Sequence, residues 1–334
     1  MNTTEEKQMK NPLDYKSEKR LLFQFAVPSI IAMLVGSLYN IVDQFFIGHS
    51  VGELGNAATN ISFPLSISCV AIALLFGIGG ASAFNISMGA GEKKKAVYYL
   101  GNSAIMLFSC GVVLCVITLM FLEPLLRFFG SPNNVLDYAK TYTGIIAFGF
   151  PFLILTTGGG HLIRADGRPN VSMVCNLTGA ILNTFLDALF VFGLNMGMRG
   201  AALATIIGQV LSAIMVIWCL SHCKTVSVGK EHLRVRKKII SRIISLGTAP
   251  FSNQLAMMVV QIVMNKSLKY YGSISVYGEA VPIACAGIIT KVNQVFMSFV
   301  IGISQGLQPI TSFNYGAKKY KRVKTAYTFA IKCG

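Results

Sequence analysis

Long uncharged stretches alternate with short charged ones along the whole chain. Between Arg20 and Asp43 lie 22 uncharged residues, between Lys95 and Glu123 lie 27, and between Lys140 and Arg164 lie 23. Arg199 to Lys224 brackets 24 more, and Arg242 to Lys266 another 23. A helix needs roughly 20 predominantly apolar residues to cross the hydrocarbon core of a bilayer. The pattern therefore predicts membrane-spanning helices near 21–48, 56–88, 96–122, 138–163, 170–194, 200–222, 243–268 and 280–313, with a ninth beginning near 323. The expected fold class is an all-α polytopic membrane protein.

Composition agrees. Hydrophobic residues make up 53% of the 334 and charged residues only 13%, whereas soluble domains carry about a quarter. The first 20 residues are polar and lysine-rich. No small-residue cleavage site precedes a polar region, so the first apolar stretch reads as a retained span. The net charge of +16 raises nucleic-acid binding, but the basic residues cluster in the loops between spans. The N-terminal tail and even-numbered loops hold 22 Lys and Arg, and the opposite loops hold 5. That asymmetry predicts a cytoplasmic N-terminus in a multi-pass protein of the cytoplasmic membrane, with no nucleic-acid partner. Of the eight cysteines, Cys69, Cys110, Cys115, Cys175 and Cys285 fall in apolar segments, where cysteine acts as a small hydrophobe. Cys219 and Cys223 lack a partner pair at zinc spacing.

The chain also repeats itself. Gly77 and Gly302, Gly91 and Gly316, and Lys93 and Lys318 are each separated by 225 residues, and Ala26-Val27-Pro28 matches Thr248-Ala249-Pro250 at 222. An even number of intervening spans makes this a parallel repeat, one way in which transporter folds build two halves around a central site. The expected organisation is a tail over 1–20, a six-helix lobe over 21–222, a basic linker over 223–242 and a partial second lobe over 243–334. Two complete copies would need about 450 residues. The chain is therefore expected to stop inside the third span of its second copy.

Among 13 acidic residues, only Asp43 and Asp187 sit deep in apolar segments; Glu279 falls at a span entrance. A carboxylate near the bilayer centre costs ~3 kcal/mol on insertion scales, and it persists where it lines a cavity or an ion path. Asn183 and Asp187 are four apart, on one helical face. Thr205 follows in a small-residue stretch that lets helices approach closely. Carboxylate, amide and hydroxyl oxygens suit Na⁺, and the carboxylates alone could carry H⁺. The plainer alternative is that both aspartates merely hydrogen-bond neighbouring helices. Pro28, fifteen residues before Asp43, removes a backbone hydrogen bond and is either a hinge or an inert kink. Lys291 in the eighth span faces a cavity or snorkels to an interface; the sequence allows both.

The run Pro28 through Tyr39-Asn40-Ile41-Val42-Asp43 to Phe46-Ile47-Gly48 resembles the first helix of the multidrug and toxic compound extrusion (MATE) family. So do Asn183-x-x-x-Asp187, Gly197-x-x-Gly200-Ala201-Ala202-x-Ala204-Thr205 and Asn314-Tyr315-Gly316-Ala317-Lys318-Lys319. The resemblance spans essentially the whole chain. It implies two six-helix lobes, a central cavity opening alternately to either side, and antiport of Na⁺ or H⁺ against small, often cationic, organic compounds. It further implies a cation site at the positions of Asp43, Asn183, Asp187 and Thr205, no cofactor beyond the coupling ion, and a monomer at full length. Tyr39, Asn40 and Lys291 are candidates to line the cavity. Length departs from the family pattern, because most of the second lobe is missing, and this leaves a non-transporting fragment as an alternative.

Other classes fit less well. A flippase for lipid-linked oligosaccharides shares the architecture but needs cavity cations for a pyrophosphate, and only Lys291 is on offer. The chain has no His-Glu-x-x-His, no Gly-x-Ser-x-Gly and no Gly-x-x-x-x-Gly-Lys-Ser/Thr, so an enzyme or an ATP-driven pump is not expected. Gly77-Ile-Gly79-Gly80 and Gly158-Gly159-Gly160 lie in membrane helices and read as packing or bending sites. A channel would need a filter-like loop or charged ring, and neither is visible.

Overall fold

In a computed structural model, residues 12–226 and 229–333 are described, and every regular element among them is helical. Eight helices are long and apolar enough to cross a membrane. They are α1 (Glu18–Val51), α2 (Glu53–Gly89), α3 (Lys93–Met120), α4 (Asn133–Ala165), α5 (Pro169–Gly193), α6 (Gly197–Ser221), α7 (Lys237–Ser273) and α8 (Ala280–Gly316). The final helix, α9, runs over Tyr320–Cys333.

All nine expected helices are present, and most extend beyond the uncharged stretches that announced them. Thus α7 starts at Lys237 rather than 243, so the end of the expected linker over 223–242 is already helical. Likewise α1 starts at Glu18, inside the expected tail, whose first residues to Asn11 lie outside the described residues. Charged residues at span ends stay helical because their long stems lie along apolar surface while the heads reach water. A short helix over Leu122–Phe128 replaces the expected span end and loop.

Two helices are irregular inside the membrane. In α4, a 3₁₀ turn over Ala147–Gly149 joins Asn133–Ile146 to Phe150–Ala165. Pro151 follows at once and cannot donate to the helical ladder. In α5, the regular helix ends at Asp187 and passes into a π turn over Ala188–Gly193. There the Leu194 amide donates to the Leu189 carbonyl at 2.9 Å, five residues back. Such π turns recur at functional sites.

One hydrophobic core runs through the first six spans around α2, α4 and α6 and takes in Ile239, Ile243 and Ile262 of α7 and Ile283 of α8. The remaining spans pack with a reciprocal pattern: α2 lies along α7, α8 lies along α1, and α2 and α8 also contact each other. Outer faces of α7 and α8 are largely exposed, including Val259, Val260, Ile289 and Phe296.

The reciprocal packing fixes the register of the repeat. Both α2 and α8 end in Gly-Ala, at Gly89-Ala90 and Gly316-Ala317. Ala90 donates to Ile86, and Ala317 donates to Phe313, at 3.0 Å in both cases. Next in line, Gly91 and Lys318 both adopt positive φ, 81° and 59°. The structural separation is therefore 227 (Gly89 to Gly316), two residues longer than the match of Gly91 with Gly316. The sequence alignment slips because the second copy places a lysine where the first has the left-handed glycine.

Some polar residues counted as loop groups are buried. Arg164, assigned by charge to a loop, is 4% exposed; it donates to Ser172 Oγ at 3.2 Å and shares a 3.2 Å hydrogen bond with His161 Nδ1. Asp166, at 1% exposure, is a third buried carboxylate. It pairs with Arg168 at 2.7 Å and accepts from the amides of Lys224 and Thr225 at 2.8 and 3.0 Å. This ties the exit of α6 to the α4–α5 turn. Glu279 stands at the N-terminus of α8, as expected, 4.0 Å from Lys269.

At the α2–α8 contact, a Cβ on Gly89 would collide with the Phe313 carbonyl, and a Cβ on Gly316 would collide with the Ile86 carbonyl. Two backbones meet there without side chains between them, the small-residue packing that membrane helices favour. Gly316→Leu is expected to lower the unfolding midpoint of the detergent-solubilised protein, by the equivalent of about 1–3 kcal/mol for overpacking. An unchanged midpoint would show that the backbones do not approach so closely.

Candidate functional site

Four buried polar residues of the first six spans converge from α1, α5 and α6. Asp43 on α1 is 7% exposed, Asn183 and Asp187 on α5 are 2% and 0%, and Thr205 on α6 is 5%. Their meeting follows from helix packing. On α5, Gly179 faces Gly208 of α6, and a Cβ on either would come within 2.8 Å of the other's carbonyl oxygen. This close crossing lies one turn from Asn183 and Thr205. It lets Asn183 Nδ2 reach Thr205 Oγ1 at 3.3 Å, while Thr205 Oγ1 donates to the Ala201 carbonyl at 3.0 Å. The four-residue spacing of Asn183 and Asp187 then puts both on the α5 face against α1.

Hydrogen bonding leaves the cluster rich in acceptors. Asn183 commits its amide nitrogen to Thr205, and its Oδ1 has no partner. Both carboxylate oxygens of Asp187 and Oδ1 of Asp43 are also buried without one. Buried polar atoms are normally paired, because an unpaired one forfeits its hydration without compensation. Four buried oxygens from three neighbouring residues thus lack a hydrogen-bond partner among the described residues.

Around this core, the Tyr39 phenol lies within electrostatic reach of Asp43 and Asp187 and beside Thr205. Tyr142 on α4 is similarly placed toward Asp43, Tyr39 and Asp187 and is buried. The sequence does not single out Tyr142. It sits two residues after Lys140, near the expected start of the span, and it has no acidic neighbour to flag it. Lys291 on α8 lies within electrostatic reach of Asp43 without closing an ion pair. Asn40 Nδ2 donates to the Gly36 carbonyl of its own helix at 2.8 Å. Pro28 is about 22 Å from Asp43 along α1 at 1.5 Å per residue. It is buried, close to where Ala26 and Ile30 meet Gly306 and Gly302 of α8. Helix α1 runs unbroken through it.

The donor set fits a small hard cation or a proton. It offers carboxylate, amide and hydroxyl oxygens and no nitrogen or sulfur ligand. Among the described residues no group of three or more His, Cys, Asp or Glu could hold a metal ion, so a site for a highly charged ion is not in view.

Fold and site define a multi-pass, all-helical membrane protein with a buried oxygen-lined cluster in its first six-helix bundle. Comparison with known proteins names the family: the MatE family model matches residues 28–189 and 251–334. The chain belongs to the MATE family, whose members are transporters and not enzymes. It is similar to the multidrug export protein MepA of Staphylococcus haemolyticus, 27% identical over 307 residues that cover 92% of this chain and 66% of that protein. MepA of Staphylococcus aureus is 27% identical over 316 residues, covering 93% and 68%. The chain thus spans about two thirds of the length of these curated relatives. Among solved structures, a ligand complex of the MATE multidrug transporter DinF-BH aligns with a TM-score of 0.87 and 31% identity, over 94% of this chain and 69% of that one. An outward-facing MATE transporter aligns at 0.85 and 23% identity, a likeness of fold alone.

Orphaned carboxylate oxygens carry a stability penalty that a neutral amide avoids. In cation-free buffer, Asp187→Asn is expected to raise the unfolding midpoint, by the equivalent of about 1–2 kcal/mol. A lower midpoint would mean that Asp187 is already fully paired in the resting protein.

Proposed function

We propose that the protein is a cation-coupled antiporter that exports small, often cationic, organic compounds across the cytoplasmic membrane by alternating access. The four unpartnered oxygens of Asp43, Asn183 and Asp187 beside Thr205 carry this reading. In it, one Na⁺ or H⁺ enters the first lobe and is held by Asp43 and Asp187, with Asn183 Oδ1 and Thr205 Oγ1 completing the oxygen set for Na⁺. Tyr39 and Tyr142 close the cluster, and no other cofactor is needed.

Coupling requires that the cation bind the two cavity states unequally; an ion with equal affinity for both shifts nothing. Asp43 supplies that inequality, since it lies on α1 and is within reach of Lys291 on α8. A cation arriving at Asp43 weakens the pull on Lys291 and so alters the contact between the first bundle and α8. Pro28, buried where α1 meets α8, would serve as the hinge for that change. An inward-negative potential adds about 2.3 kcal/mol per 100 mV for each entering charge. On this reading the tail 1–20 and linker 223–242 are cytoplasmic, 21–222 forms the first lobe, and 243–334 belongs to a second lobe. The full-length protein works as a monomer. Two similar proteins, the multidrug exporter MepA and the multidrug transporter DinF-BH, support the substrate class. Lipid-linked oligosaccharide flipping is disfavoured, because the candidate cavity cation, Lys291, faces a carboxylate.

In proteoliposomes with an imposed Na⁺ or H⁺ gradient, the full-length protein is expected to expel a fluorescent cationic dye. Asp43→Asn and Asp187→Asn should each slow gradient-driven export by about tenfold or more, the scale expected when a coupling charge is lost. Unimpaired export by both variants would overturn the assignment.

A further inference from the structure

Away from the buried cluster, the basic linker builds a second feature. A cavity of about 580 Å³ lies between the N-terminal ends of α3 and α7, lined by Lys94, Lys95, Tyr98, Arg236, Lys237 and Lys238. Among the described residues, no acidic side chain lines it. Glu92, close by, is paired with Lys95 at 3.1 Å.

The linker is held in place to form this cavity. Asn102 on α3, fully buried, donates to the carbonyls of His232 and Arg234 at 3.2 and 3.1 Å and accepts from the amide of Arg236 at 2.9 Å. The ring of His232 packs on Tyr98, with centroids 4.8 Å apart. The Arg236 guanidinium lies 3.8 Å from the Tyr98 ring centre. Five cations are thus gathered on a seated backbone, beside the positive ends of two long helices. Such a concentration of like charge is costly unless something anionic shares it.

The apolar surroundings identify the anion. Leu233 and Val235 of the linker are 41% and 56% exposed, and they flank the basic residues at the ends of two membrane spans. Ile239 also lines the cavity, and aliphatic side chains in and beside a cation-lined cavity match a ligand with an anionic head and an apolar tail. We propose that this cavity seats the phosphate of an anionic phospholipid, clamping α3 to α7. The headgroup would bridge the first six-helix bundle to the first helix beyond the linker. The site is independent of the ion cluster.

Phosphate chemistry can come from a lipid or from solution, and the test separates the two. The purified full chain, delipidated in detergent, is titrated with phosphatidylglycerol, with phosphatidylcholine and with inorganic phosphate, and bound lipid is counted by native mass spectrometry. One tightly held phosphatidylglycerol per chain is expected, with phosphatidylcholine weaker by about fivefold or more, since each lost charge contact is worth about fivefold. The variant Lys94→Gln/Arg236→Gln/Lys238→Gln should lose the bound lipid, whereas Lys318→Gln/Lys321→Gln, which removes equal-sign charge elsewhere, should keep it. Lys238→Arg should also keep it. Equal retention of phosphatidylglycerol by the triple variant and the wild type would overturn the proposal. So would displacement of the lipid by inorganic phosphate at comparable concentration. If the triple variant fails to fold, loss of binding in Lys94→Gln alone supports the proposal, and full binding in it contradicts it.

Discussion

The structure turns on one imbalance: four buried oxygens of Asp43, Asn183 and Asp187 lack a hydrogen-bond partner where these residues meet Thr205. A carboxylate in a low-dielectric interior is costly, and the cost falls only when a cation or proton arrives. Asn183 sharpens the imbalance by spending its donor on Thr205 and leaving its oxygen free. Under the proposed coupling, a bound positive charge would relieve that cost, and an ion gradient could act on the difference.

Helix crossings made of small residues set the geometry. Gly179 and Gly208 bring α5 and α6 close enough for Asn183 to reach Thr205, and Gly89 and Gly316 let α2 and α8 touch backbone to backbone. The first crossing shapes the ion cluster. The second lies at the contact between the first bundle and the helices after the linker, together with Ser37–Ser298 at 2.9 Å and Gln308–Ser82 at 2.9 Å. Ion pairs also cross this contact, Arg322 to Glu18 at 2.6 Å and Lys319 to Asp14, and Asn60 and Asn314 donate across it to the carbonyls of Ile283 and Leu13 at 3.3 and 3.4 Å.

Much of this was legible in the sequence, and the exceptions have physical causes. Eight spans follow from uncharged run length alone, because crossing a bilayer is a one-dimensional constraint. Asp43 and Asp187 stand out because charge in an apolar run is expensive, and the four-residue step ties Asn183 to Asp187. Tyr142 gives no such signal: an aromatic residue near a span end is ordinary, and only the packing of α4 against its neighbours brings its hydroxyl inward. That Lys291 comes within electrostatic reach of Asp43 depends on which face of α8 meets α1, which periodicity does not settle. Arg164 escapes because charge counting cannot tell a buried guanidinium from a solvated one. The repeat is real as a pattern but two residues out of register, since Lys318 occupies a left-handed position that normally advertises itself with glycine.

A direct reading of the buried carboxyls would test the central claim. Infrared difference spectra of the membrane-embedded protein, recorded on adding Na⁺ and separately on raising pH, report carboxyl groups that change their proton or cation. The account predicts a carboxyl band that responds to at least one of these changes and is missing from Asp187→Asn. A wild-type spectrum with no carboxyl change under either condition would contradict it.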